Sequence, residues 1–292
     1  MSAHAVVTGA GGFVGGFLAR YLAKNGFKVT ATTRKSLSTD QAKCSWITWI
    51  EADLTQLINL PEQFDLLIHC AALLPSSCSD PNRLYIDNLN MANNAFNQAV
   101  DAKAKAIVFL SSMSVYGSIH EEEVTEETRF NNPDAYGKAK YDAECKLEDC
   151  ITANILSGLS IRLPGTVGRG SHHNFISKTL KSICKDERIE IKNPDSYFNN
   201  IVFVEDLAKF ILRWFESSTK GYAVTNLASC QPMIIRDVVS LLYMTAKKSE
   251  MVIYKNASPK PFLISLNKAK KLGFVPRTVH ESISSFTDAE LT

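Results

Sequence analysis

In the stretch PDAYGKAK, residues 133–140, a tyrosine and a lysine stand four apart just after a proline. Four residues make about one helical turn, so on a helix Tyr136 and Lys140 share a face. A free phenol titrates near 10 and is a poor base near neutrality. An ammonium one turn away favours the phenolate and brings that value down. The pair therefore reads as an acid/base phenol with the cation that tunes it, suited to moving a proton at a carbinol oxygen. The same spacing also describes two ordinary residues at the start of an exposed helix, so the rest of the chain has to decide.

A second signature, TGAGGFVG, fills residues 8–15. The strict GxGxxG pattern fails, because Val14 stands where its last glycine belongs. GxxGxxG fits, through Gly9, Gly12 and Gly15. Such glycines serve a tight turn, close approach of backbone to a pyrophosphate, and close packing of helix on strand. Phe13 and Val14 open the following helix, whose amide end attracts anions. At the end of the second strand stand Thr33 and Arg34, then Lys35 and Ser36, where a carboxylate would be needed to accept from a bare ribose. A cation with hydroxyls suits a 2′-phosphate, so NADP(H) is the favoured cofactor and NAD(H) the alternative. Asp53 and Leu54, after the third strand, are placed at the adenine. Ala71 and Ala72, in HCAA, line the cofactor after the fourth.

The elements that must position these groups alternate. Short β-type runs at 4–9, 28–34, 46–54, 64–72, 105–112 and 159–164 are separated by helical stretches at 13–26, 82–102 and 135–156. Strands alternating with helices predict an α/β fold, a doubly wound parallel sheet covered on both faces. After Pro164 the regularity breaks. GTVGRGSHH reads as a loop, followed by helices near 174–185, 204–215, 234–246 and 279–288 and short strands at 189–192 and 222–229. The expected division is a dinucleotide-binding domain over 1–165, completed by parts of 200–230, and a smaller substrate-binding lobe, mainly 166–292.

TGAGGFVG, SSMSVYG (111–117) and YGKAK (136–140) together resemble the extended short-chain dehydrogenase/reductases, nearest to those acting on nucleotide sugars. RLPGTVGRG (162–170), VFVEDLA (202–208) and KAKKLGFVP (268–276) extend the likeness over nearly the whole chain. It implies a Rossmann-like domain with Tyr136 as acid/base and Lys140 as its partner, also holding the nicotinamide ribose. Aligned on VYG, Ser112 is the hydroxyl that orients the substrate oxygen, with Ser111 the neighbouring alternative and a cofactor contact. Asn88 matches the position that steadies the active-site end of the sheet and is placed beside the cofactor with Pro164. The implied substrate contacts are Ser112, Ser114, Tyr116, Arg169 and Asn174; Tyr116 has packing as its other reading. A homodimer through the helices near 82–102 and 135–156 is also implied.

Dehydratases of this likeness carry an acidic pair after the serine. Met113 and Ser114 stand there and cannot act as general acid and base near neutrality, so dehydration is disfavoured. Reduction of a 4-keto-6-deoxy sugar and 4-epimerisation remain, and Arg34 with the short chain leans towards reduction. The arginine that often holds the nucleotide pyrophosphate is replaced by Asn199, with Arg169, Arg162 or Lys178 as substitutes. A smaller carbonyl substrate therefore stays open. A non-catalytic NADP(H) sensor would have no use for the tyrosine–lysine pair.

Thirty-two basic against thirty acidic residues, net +2, give no reason to expect nucleic acid. No apolar run approaches the ~20 residues needed to span a bilayer. Seven cysteines without a CxxC read as reduced thiols, with neither disulfide nor metal site expected. The chain enters an apolar strand at once, without a basic leader, and a cytoplasmic location is the expectation.

Overall fold

The computed structural model describes residues 2–34, 46–56, 58–154, 156–258 and 261–292. Seven strands form the central sheet: β1 (His4–Thr8), β2 (Lys28–Thr33), β3 (Ile47–Glu51), β4 (Leu66–His69), β5 (Ala106–Ser112), β6 (Ser157–Leu163) and β7 (Gly221–Asn226). Their order is β7-β6-β5-β4-β1-β2-β3. β1 pairs in parallel with β2 and β4, β2 with β3, and β4 with β5. The strands β1, β2, β4 and β5 are almost wholly buried, as a sheet covered on both faces demands, and all but the threonine-rich β2 are mainly apolar. Among its helices are α1 (Phe13–Lys24), α2 (Pro81–Asp101) and α3 (Ala135–Ala153).

The strand order reverses between β1 and β4, so the crevice at their carboxyl ends is where an open α/β sheet receives its ligand. Two glycines bring the loops there together. Gly9 has φ +66°, and a Cβ on it would lie 2.6 Å from the Ala71 Cα, just after β4. A Cβ on Gly15 would lie 2.5 Å from the Gly9 carbonyl oxygen, so α1 can start against the turn only without one.

Two compact units divide the chain. The first comprises Met1–Gly117, Phe130–Arg162 and Ala208–Thr225; the second comprises Ser118–Arg129, Leu163–Leu207 and Asn226–Thr292. The first packs Phe96, Ile107, Phe109, Ala143 and Leu147 between sheet and helices. The second has its own core, with Val167, Ile176, Leu180, Leu242 and Ile283 among its members. Within it, Gly165–Val167 pairs in parallel with Ile201–Phe203. A loop was expected over 165–173. The three-residue strand between glycines is too short to show a period-two pattern and exists through its distant partner.

The glycine geometry makes a stability prediction. Gly15→Ala drives a Cβ into backbone and should cost ~1–3 kcal/mol. Gly12→Ala meets only the Gly9 carbonyl oxygen, at 3.4 Å, and should be tolerated. Thermal melts of the two variants compare them, and equal losses would refute this account of the turn.

Candidate active site

Tyr136 is placed by the start of α3. Asp134 is the N-cap, its Oδ1 accepting from the Gly137 amide at 2.7 Å, so Tyr136 falls in the first turn. A Cβ at Gly137 would collide with the Ser114 carbonyl oxygen. The missing side chain lets this turn lie directly on the 3-10 turn Met113–Tyr116 that follows β5. Ser112, the last residue of β5, accepts from the Ser114 amide at 3.1 Å and donates to the Ser114 hydroxyl at 3.1 Å. Ser112, Ser114 and Tyr136 are each half-buried, and Tyr136 packs beside Leu54, Ala71 and Leu73.

Lys140 follows one turn later and is only 3% exposed. Its Nζ donates to the Leu110 carbonyl at 2.8 Å and lies 4.6 Å from the Phe109 ring centroid and 5.7 Å from that of Tyr136. Burial brings its ammonium down to about 8. The lowering of the Tyr136 phenol expected from Lys140 is opposed by burial. Burial pushes that phenol upward, with the Asp134 carboxylate adding to the rise. The physical reason is that Lys140 faces the ring, and burial weakens its own charged form.

The glycine turn fits a dinucleotide. Gly12 is the N-cap of α1, with no side chain capping the helix, and a Cβ on it would enter open space on all sides but one. Gly12 is exposed, and Phe13 and Val14 are half-buried behind it. Thr33 is buried at the end of β2, and Arg34 beyond it is exposed. The Asp53 carboxyl is held below its usual range, first by the Thr55 amide and hydroxyl and further by Arg34. Leu54 is buried, as is Ala71, whereas Ala72 is half-buried. Lys35 and Ser36 lie outside the described residues.

Several side chains expected to touch ligand are committed elsewhere. Tyr116, expected in the sugar pocket, is fully buried and accepts from Arg162 Nη1 at 2.8 Å, so it packs. Arg162, weighed as a pyrophosphate cation, is buried against Glu144, with Nη2 2.7 Å from Oε2. Ser111 donates its hydroxyl to the same carboxylate. Asn88, placed beside the cofactor, accepts from the Leu73 amide (3.0 Å) and donates to the Leu73 (2.9 Å) and Leu84 (2.7 Å) carbonyls. Its amide therefore braces the loop after β4.

In the second unit, Asn174 caps the helix Phe175–Cys184 and donates to the Thr166 carbonyl at 2.9 Å, which uses both ends of its amide. Asn199 exchanges two hydrogen bonds of 2.9 Å with the backbone of Ile264. Pro164 is half-buried, and Arg169 and His172–His173 are exposed. Sequence reasoning missed Glu144 and Gly137. Glu144 had a signal: it stands four after Lys140, on the same face of α3.

Among the described residues no helix is long and apolar enough to cross a membrane, and no cluster of His, Cys, Asp or Glu is suited to a metal ion. A family sequence model, described as the NAD dependent epimerase/dehydratase family, matches residues 5–228. The UDP-glucose 4-epimerase of Corynebacterium glutamicum is 24% identical, with 97% of this chain and 95% of that protein covered. The UDP-N-acetylglucosamine 4-epimerase of Methanobrevibacter ruminantium, solved with UDP-N-acetylmuramic acid, superposes with a TM-score of 0.83 at 22% identity, covering 99% and 98% of the two chains. The Thermus thermophilus UDP-glucose 4-epimerase, solved with NAD, gives 0.79 at 18% identity, covering 98% of each chain. With a family match over most of its length, the chain belongs to the NAD dependent epimerase/dehydratase family, within the extended short-chain dehydrogenase/reductases, and is an NAD(P)-dependent enzyme.

Proposed function

We propose that the protein is an NADP(H)-preferring reductase of a keto group on a nucleotide-linked sugar, a 4-keto-6-deoxy sugar being the substrate class. The first unit is assigned to the cofactor and the second mainly to the substrate. The observation that carries the reading is the start of α3, where Tyr136 lies in the first turn, packed through Gly137 on the turn that follows Ser112, and Lys140 one turn later bonds the Leu110 carbonyl of β5. A bound dinucleotide supplies the hydride that the carbonyl carbon receives. The chain's own residues handle the oxygen. Ser112 donates a hydrogen bond that orients and polarises it, and Tyr136 gives it a proton. Burial favours the neutral phenol, which is the form a proton donor must have at the start of a reduction. The Lys140 ammonium then stabilises the phenolate until solvent restores the proton.

Arg34 supports the NADP(H) preference. It is an exposed cation at the end of β2, where a 2′-phosphate would be met. The opposing observation is that the relatives and neighbours named above are 4-epimerases, some of them solved with UDP-sugar or NAD. The second reading is therefore 4-epimerisation of a UDP-sugar with retained cofactor.

Mass spectrometry of products separates the readings. Incubated with NADPH and a panel of nucleotide 4-keto-6-deoxy sugars, the enzyme should add two hydrogens to one of them. An isomer of unchanged mass from UDP-glucose or UDP-N-acetylglucosamine would replace reduction with epimerisation. Tyr136→Phe should lower turnover by ~10²–10⁴ while NADPH still binds as in the parent. Undiminished turnover would exclude Tyr136 as the acid. Arg34→Asp should raise the NADH/NADPH preference by about tenfold or more, read from kcat/KM with each cofactor, and an unchanged ratio would remove Arg34 from cofactor selection.

A further inference from the structure

The buried face of α3 carries two ionisable groups one turn apart, Lys140 and Glu144, both 3% exposed. Glu144 is held from three directions. Oε1 accepts from the Ser111 hydroxyl and from Arg162 Nε at 3.1 Å, and Oε2 accepts from Arg162 Nη2 at 2.7 Å. Ser111 immediately precedes Ser112 on β5. Arg162 lies on β6 and also reaches the hydroxyl of Tyr116, two residues after Ser114. One carboxylate thus ties α3 to β5 and β6 directly and, through Arg162, to the turn after β5.

We propose that Glu144, held by Arg162 and Ser111, is a positioning residue of the reaction centre: it fixes α3 to the end of β5 and sets a negative charge one helical turn from Lys140. The inference deepens the reading of Tyr136 and Lys140 given above and rests on it. Four titratable groups face Lys140 among the described residues. His69, at the end of β4, is brought by burial to about 3 and is neutral. Cys70, next to it, is raised by burial to about 12 and stays a thiol. Tyr136 is held as a phenol by burial. Glu144, like Cys70, acts on Lys140 in the direction that opposes burial, and it is the one carboxylate of the four. Arg162 bonds that carboxylate from β6, while Glu144 stands one turn from the ammonium on the same buried face of α3.

The sign of the effect follows. Lys140 is protonated below about 8, and burial alone would bring that value lower. Losing the carboxylate while Arg162 remains should move the Lys140 midpoint down. Losing Arg162 while the carboxylate remains should leave it close to the parent value. A shift from one variant and none from the other, when both damage the same ion pair, is not what loss of packing produces.

The test is the Lys140 Cε resonance of the full chain labelled with ¹³C-lysine, assigned by its absence in Lys140→Met and titrated from neutral to strongly alkaline pH. Glu144→Gln should lower the midpoint by about one pH unit, whereas Arg162→Met, which keeps the carboxylate, should leave it close to the parent value. Either single change leaves a buried group without its partner and risks the fold. The double variant Glu144→Gln/Arg162→Met removes both charges and should keep the fold, with a midpoint below that of the parent. An unmoved midpoint in a folded Glu144→Gln variant, or a double variant that titrates like the parent, would overturn the proposal and leave the pair a structural brace. The midpoint needs no turnover. A protein whose Lys140 shifts as described yet reduces or epimerises no sugar would refute the proposed function alone.

Discussion

A lysine ammonium buried against the sheet is the constraint around which the first unit is arranged. Among the described residues Lys140 has a single hydrogen bond to protein oxygen, to the Leu110 carbonyl, and its fall to about 8 means that burial outweighs its partners. The net penalty on the charged form is ~3 kcal/mol. That is a large fraction of a typical domain's stability, so such a group persists where the surrounding structure holds it. Here α3 is capped by Asp134 and pressed onto the turn after β5 through Gly137, and its buried stripe continues through Ala143, Glu144, Leu147 and Ile151. The apolar part of that stripe anchors the helix, and its polar part is Lys140 and Glu144.

Much of this was legible in the sequence because its causes are local. The alternation of apolar runs with helical periods gave the sheet and its flanking helices to within a few residues. The glycines of TGAGGFVG marked the crossover turn, and the four-residue step from Tyr136 to Lys140 marked a helix face. Contacts between distant parts of the chain were not legible. Tyr116 looked equally suited to a pocket and to a core; its fate depends on Arg162, 46 residues on, and on the Phe130 ring 5.6 Å away. Asn88 was recognised as a brace, but its acceptors and donors at Leu73 could not be named from spacing. The Gly165–Val167 strand exists only because Ile201–Phe203 pairs with it.

The phenol illustrates a different limit. On an open helix face the ammonium is a free charge, which lowers a neighbouring phenol. In the folded chain both groups are desolvated, and desolvation acts on each in the direction that removes charge. Burial thus favours the neutral phenol and a weakened ammonium, and any further charge brought beside them shifts both. Spacing identifies the two partners and not their protonation.

Charge also narrows what the second unit can recognise. A nucleotide diphosphate carries two negative charges and is ordinarily met by a planar, bidentate cation. Asn199 stands where such a cation was sought, and its amide is closed onto the backbone of Ile264, a bracket in which an arginine could not make the same paired bonds. Arg162 is tied to Glu144 and Tyr116 within the first unit. The exposed cations of the second unit include Arg169 and Lys178, the latter on the helix capped by Asn174. A diphosphate bound by these would meet flexible surface charge in place of a buried fork, and the free energy of recognition would shift from the phosphates towards the base and the sugar. For the nucleotide-linked sugar proposed above, selection would then rest more on shape around the sugar than on its anionic handle.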